Sequence, residues 1–149
     1  MHKITKPENG IYILEIFAST NFSIPHKKFN KITFPKGWYY YIGSAQKNLS
    51  SRIQRHLAKE KKLFWHIDYL TTINTNVIRN IFIVEQKEKM YECILTNIIV
   101  DELNLESKAI GFGNSDCTSC KSHLLYSKQK IYKKIFSRIA DAKSYKFPK

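Results

Sequence analysis

Acidic residues are scarce in this chain. Its 149 residues carry 25 lysines and arginines against 12 aspartates and glutamates, a formal net charge of +13. A field of that sign gathers polyanions, so nucleic acid comes first among expected partners and an anionic membrane surface second. Long apolar runs are missing too. None approaches the roughly 18–20 residues of a transmembrane helix, and the opening MHKITKPENG lacks the apolar core of a signal peptide. The expectation is a cytoplasmic protein with no membrane partner. Cysteine is limited to three, an odd number with two of them three residues apart, which excludes a disulfide framework and leaves reduced thiols or a metal site. There is no internal repeat and no low-complexity linker. What is abundant is apolar and aromatic side chain, at 43% and 13% of the chain, enough for one domain with a real core.

Hydrophobic periodicity orders the chain. IYILEIFA (11–18) reads as a buried strand, HKKFNKITF (26–34) as a second, more polar strand, and WYYYIG (38–43) as a third, suggesting an antiparallel meander. The period then changes from two to 3.6. Leu49, Ile53 and Leu57 stand four apart in an amphipathic helix that Asn48 or Ser50 can cap. LFWHIDYLTT predicts a short helix with Leu63, Ile67 and Leu70 inward, and VIRNIFIVE (77–85) returns to strand. A further helix is expected over about 87–104 on the stripe Tyr91, Ile94, Leu95, Ile98 and Ile99. LLYS reads as a short strand, and Ile131, Ile135 and Ile139 have helical spacing inside a basic segment from Lys128 to the end. The final KSYKFPK has little to fold around and is expected to fray. The fold class is α+β: a small, mainly antiparallel sheet of three or more strands flanked by helices, with a basic helical extension.

The segment GWYYYIGSA (37–45) places aromatics on both faces of a strand. Gly10, Ile11 and Tyr12 on the first strand, Tyr41, Ile42 and Gly43 about thirty residues on, and Arg52 nine positions after Gly43 on a helix form one ordered set. With these the chain resembles the GIY-YIG nuclease superfamily over roughly residues 9–103. FPKGWYYYIGSA, RIQRHL, WHIDYL and GFGNSDC with SHLLY resemble a small prokaryotic branch found alone or joined to endonuclease III type glycosylases, extending the likeness to about residue 127. The resemblance implies a nuclease domain over 1–127, with 128–149 as a basic extension of the same domain. It implies a metal-dependent endonuclease that cleaves DNA, in repair or processing, leaving a 5′-phosphate and a 3′-hydroxyl. An RNA nuclease, a non-catalytic nucleic-acid-binding module and a zinc-stabilised interaction protein are the alternatives. In this reading Tyr41 faces the active site beside Tyr12, while Tyr40 belongs to the core. One departure stands out: many members have lysine after the second motif, and here it is Ser44.

Phosphodiester hydrolysis needs a deprotonated water, stabilised charge on phosphorus and a neutralised leaving oxygen. Glu92 suits a single Mg²⁺ or Mn²⁺, hard cations that take carboxylate and water oxygens. Arg52 offers a charged fork to two phosphate oxygens. Tyr12 is the expected base, its phenol lowered by nearby positive charge, with Tyr41 and His56 orienting water or phosphate. Arg55, Lys59, Lys61, Lys62 and His66 complete the expected nucleic-acid contacts. His66 and Asp68 lie two apart on a helix and so diverge, which excludes a shared ligand and favours a structural or phosphate-contacting role for His66. Cys117, Cys120 and His123 spell C-x₂-C-x₂-H, three zinc-type ligands without an obvious fourth, for which Cys93, His2 and Asp116 are the options. A packed loop with free thiols is the expectation, and zinc is not expected.

Overall fold

Two nine-residue strands, Gly10–Ala18 (β1) and Gly37–Ala45 (β2), pair antiparallel along their whole length, from Gly10 opposite Ala45 to Ala18 opposite Gly37. In the computed structural model, which describes residues 8–113, 120–139 and 142–145, they form the centre of a five-stranded sheet. Asn76–Glu85 (β3) pairs with the free edge of β1, Leu124–Ser127 (β4) with β2, and Lys143–Ser144 (β5) with β3. The order is β4-β2-β1-β3-β5 and every pair is antiparallel. Among the described residues four helices flank the sheet: Leu49–Leu57 (α1), His66–Thr71 (α2), Tyr91–Leu103 (α3) and Tyr132–Arg138 (α4). The α+β class expected from the periodicity is the one observed.

Because strand side chains alternate, the sheet has two apolar faces, and the sequence covers both. Tyr12, Leu14 and Ile16 of β1 and Tyr39 and Tyr41 of β2 pack with Leu49 and Ile53 of α1 and Ile67 and Leu70 of α2. On the opposite face Ile11, Ile13, Tyr40 and Ile42 pack with Leu95 and Ile99 of α3 and with Ile131, Ile135 and Ile139 around α4. Tyr40 is a core residue there. Its hydroxyl donates to the buried Glu15 at 2.7 Å and accepts from the Ile131 N–H at 2.9 Å.

Four local expectations are corrected. HKKFNKITF is not a strand: residues 27–31 turn, and one bridge, Phe22 to Phe34, is all the pairing this connection makes among the described residues. Phe29, against His66 and Phe112, and Phe34 are its buried anchors, while Lys27, Lys28 and Lys31 face solvent, so alternation there was coincidental. Leu63 precedes α2 and is 38% exposed. The inward face of α3 carries Glu92, Leu95, Thr96 and Ile99, which leaves Ile94 and Ile98 exposed; contacts made by Glu92 set that rotation. Lys143 and Ser144 do not fray but form β5, and the Tyr145 N–H donates to Ile81 at 2.8 Å. At α1 the cap position falls on Asn48, in the left-handed region without a side-chain cap.

Candidate functional site

The site lies where β2 outruns β4. β4 pairs with Trp38 to Tyr41, the Ile42 N–H donates to His123 O at 3.0 Å, and the register ends there. Tyr12 stands opposite Gly43 on the neighbouring strand. A β-carbon on Gly43 would lie 2.5 Å from the Tyr12 hydroxyl and ring, so this glycine is the space in which the tyrosine lies. Tyr41, on the same face, has its ring centroid 6.5 Å from that of Tyr12.

α1 supplies the next two groups. Burial of Leu49 and Ile53 turns His56 inward, 1% exposed, with Nε2 2.7 Å from the Tyr12 hydroxyl. Burial, with the charges of Lys61, Arg52 and Arg55, pushes the imidazole pKa down to about 3, so His56 is neutral. Burial also raises Tyr12 well above the usual phenol value; the charges of Tyr41 and Glu92 add to this, and Arg52 pulls the other way without prevailing. Tyr41 is raised by burial and then by Glu92. A protonated phenol and a neutral imidazole can each donate to the other, so the tautomer of His56 sets the direction of this bond; Nδ1 is buried with no hydrogen-bond partner among the described residues. Arg52, one turn before His56, donates from Nη1 to the Ser44 carbonyl at 2.6 Å and lies 4.7 Å over the Trp65 ring.

Glu92 enters from the other face, in the first turn of α3, where the helix dipole favours a carboxylate. Its Oε2 accepts from the Ser44 hydroxyl at 2.5 Å, and its Oε1 lies 2.6 Å from His123 Nδ1. That second approach is oblique, since Nδ1 has no well-aligned hydrogen bond. Ser44 thus joins the two halves, its carbonyl on Arg52 and its hydroxyl on Glu92. A carboxylate and a hydroxyl oxygen side by side are hard donors that suit one Mg²⁺ or Mn²⁺ with water completing its shell.

Tyr12, Tyr41, Arg52, His56 and Glu92, selected from the sequence, are therefore brought together. The expected nucleic-acid contacts divide. Lys59 Nζ donates to the carbonyls of Thr71, Ile73 and Asn76 at 2.9, 2.9 and 2.5 Å, and Lys61 Nζ to those of Arg55 and His56 at 2.8 and 3.1 Å. Both ammonium groups tie loops to the C-terminal end of α1. Burial lowers the Lys61 pKa to about 8. Arg55 is paired with Asp68 at 2.5 Å and lies 4.8 Å over Trp65. His66 Nδ1 accepts from the Gly113 N–H at 2.9 Å, which gives it a structural task and separates it from Asp68, an acceptor for the Phe64 and Trp65 N–H groups. Lys62 is exposed.

Three contributors escaped the sequence reading. Ser44 was visible as the residue in the place of a lysine, His123 as a zinc-type ligand and not as a partner of Glu92, and Trp65 as part of WHIDYL without its place under two guanidinium groups. Cys117, His2 and Asp116 lie outside the described residues. No curated protein and no solved structure matches the chain. A family model described as "Domain of unknown function DUF123" matches residues 11–144, nearly the whole of both sheet faces and the constellation between them, and the chain belongs to that family.

Proposed function

We propose that the protein is a metal-dependent endonuclease of GIY-YIG type that hydrolyses phosphodiester bonds in DNA. The observation that carries the reading is the convergence of a phenol, a neutral imidazole, a guanidinium and a carboxylate, drawn from three elements, at one end of β2. In the wider superfamily the residue after the second motif is often lysine. Here Ser44 directs Arg52 and Glu92 instead, leaving Arg52 as the permanent cation at the site.

With His56 in its Nε2–H tautomer the imidazole donates to the Tyr12 oxygen 2.7 Å away, and a remaining lone pair of that oxygen is available to a water. With its proton released under the positive charge of Arg52 and of the cation that Glu92 would hold, Tyr12 would take the proton of the attacking water while neutral His56 stays hydrogen-bonded to its oxygen and the bond from phosphorus to the 3′ oxygen breaks. The products are a 5′-phosphate and, once the leaving oxygen takes a proton from solvent, a 3′-hydroxyl. Arg52 sits on a rigid tripod of helix, Ser44 carbonyl and Trp65, and meets the phosphate oxygens where charge develops. A divalent cation held at Glu92 would supply positive charge that offsets the carboxylate, whose field adds to burial in raising both tyrosines. Tyr41 walls the site on the β2 side.

The net charge of +13 supplies the affinity for a polyanion. A Mg²⁺ titration on labelled duplex, single-stranded, flap and junction DNA, with matched RNA, tests the reading. Divalent-dependent scission of at least one DNA is expected. Binding without scission of any substrate would favour a non-catalytic module.

A further inference from the structure

We propose that Cys93, Cys120 and His123 bind a zinc ion in the reduced protein, at a site separate from the phosphate-cleaving groups but joined to them through Glu92. In the sequence Cys93 is remote from the C-x₂-H pair. The fold brings it there: Cys93 on α3 has its sulfur 3.3 Å from His123 Nε2 and 3.1 Å from the Cys120 sulfur, which is 3.0 Å from the same nitrogen. All three ligand atoms fall within 4.8 Å of one another. Tetrahedral zinc at its usual bond lengths spaces sulfur and nitrogen ligands by about 3.5–3.8 Å, so the three atoms need move apart by only about half an ångström to receive it. Two thiolates and an imidazole are a soft donor set that selects zinc over the hard cations suited to Glu92.

The second shell is also in place. Zinc-bound histidines place their other nitrogen against a carboxylate or carbonyl. His123 turns Nε2 to the sulfurs and Nδ1 to Glu92 Oε1, 2.6 Å away. The ion would tie the first turn of α3 to the segment leading into β4, whose His123 backbone joins Ile42 of β2 and Phe112. It would thereby fix the carboxylate beside Ser44. Against the expectation of free thiols, Cys93 is disulfide-bonded in the structure, and a disulfide sulfur is not a ligand, so the ion and that bond exclude one another. The zinc form is the reduced form.

The test is zinc binding by the full chain after reduction, offered one equivalent of Zn²⁺ and desalted, with metal measured by mass spectrometry and Co²⁺ as a spectroscopic substitute. Wild-type protein is expected to retain one zinc per chain and to give a sulfur-to-cobalt charge-transfer band. Cys120→Ser and His123→Ala should each weaken zinc binding by more than about tenfold, the lower end of what even outer-shell changes cost. If either variant fails to fold, the wild-type cobalt spectrum decides alone. Arg52→Ala, which touches none of the three ligands, should keep its zinc while losing cleavage, so this inference and the nuclease reading fail separately. Reduced wild-type protein that retains no zinc, or a cobalt adduct without the sulfur band, overturns the proposal.

Discussion

Tyr12 and His56 share one buried hydrogen bond, and each depends on it differently. Tyr12→Phe keeps the ring over Gly43 and deletes the hydroxyl, leaving both imidazole nitrogens of His56 buried and unpartnered. We expect a stability loss of about 1–3 kcal/mol in urea unfolding. Single-turnover cleavage should fall by about 100-fold or more, the scale of general base catalysis. Wild-type cleavage in that variant would remove Tyr12 from the chemistry. His56 carries a separate signature. Its pKa is depressed in the folded chain to about 3 from 6.5, so above pH 6.5 neither state is protonated and the group contributes no pH dependence. As pH falls below 6.5 the unfolded chain takes up a proton that the native one refuses, and stability declines by up to about 1.4 kcal/mol per pH unit until about pH 3. Unfolding curves from pH 7.5 to 5 should show that decline in the wild type and a shallower one in His56→Gln; identical slopes would mean that the imidazole is solvated. If Arg52 meets phosphate as proposed, DNA affinity of Arg52→Ala measured without divalent metal should drop by roughly 1–3 kcal/mol.

At the scale of elements, α1 and the loop behind it show how far charge read from sequence misleads about surfaces. Lys59 and Lys61 were expected at the nucleic acid with Lys62, but the first two donate to backbone carbonyls of the chain itself. Lys59→Ala and Lys61→Ala should each cost roughly 1–3 kcal/mol of stability. Both should leave the salt dependence of DNA binding unchanged, whereas Lys62→Ala should flatten it by up to about 0.9 in log K against log salt. A flattened slope in the Lys59 and Lys61 variants would return them to the interface. The strands and helices themselves were legible wherever a strong period ran without interruption, as in β1, β2, β3 and α1. Legibility failed where isolated anchors mimicked a pattern, as Phe29 and Phe34 did between β1 and β2. It failed again at α3, whose two apolar stripes differ by one rotation: the buried one includes Glu92 and Thr96, and polar residues turned inward by the site cannot be told from surface residues by hydrophobicity.

For the whole molecule, the order of motifs along the chain foretold the constellation because paired strands and one short helix leave few ways to arrange it. The ties made through Ser44 and His123 were not readable, since they join elements 48 and 30 residues or more apart by contacts with no spacing rule. The basic carboxy-terminal segment was read as an appendage, yet Ile131, Ile135 and Ile139 close the second core and Phe82 packs against Tyr132 and Phe136. Deleting residues 129–149 should therefore yield unfolded or insoluble protein, detectable by circular dichroism, and a folded truncation would show the second face to be self-sufficient. The central claim is that these groups form a phosphodiesterase centre, and the most direct measurement is Mg²⁺-dependent cleavage of labelled DNA by Glu92→Gln beside the wild type. The substitution preserves shape and removes the charge at the oxygen pair shared with Ser44. The account predicts a folded variant that binds DNA at least as tightly as the wild type without metal and whose cleavage is lower by about 100-fold or more. Cleavage by Glu92→Gln at the wild-type rate would contradict it.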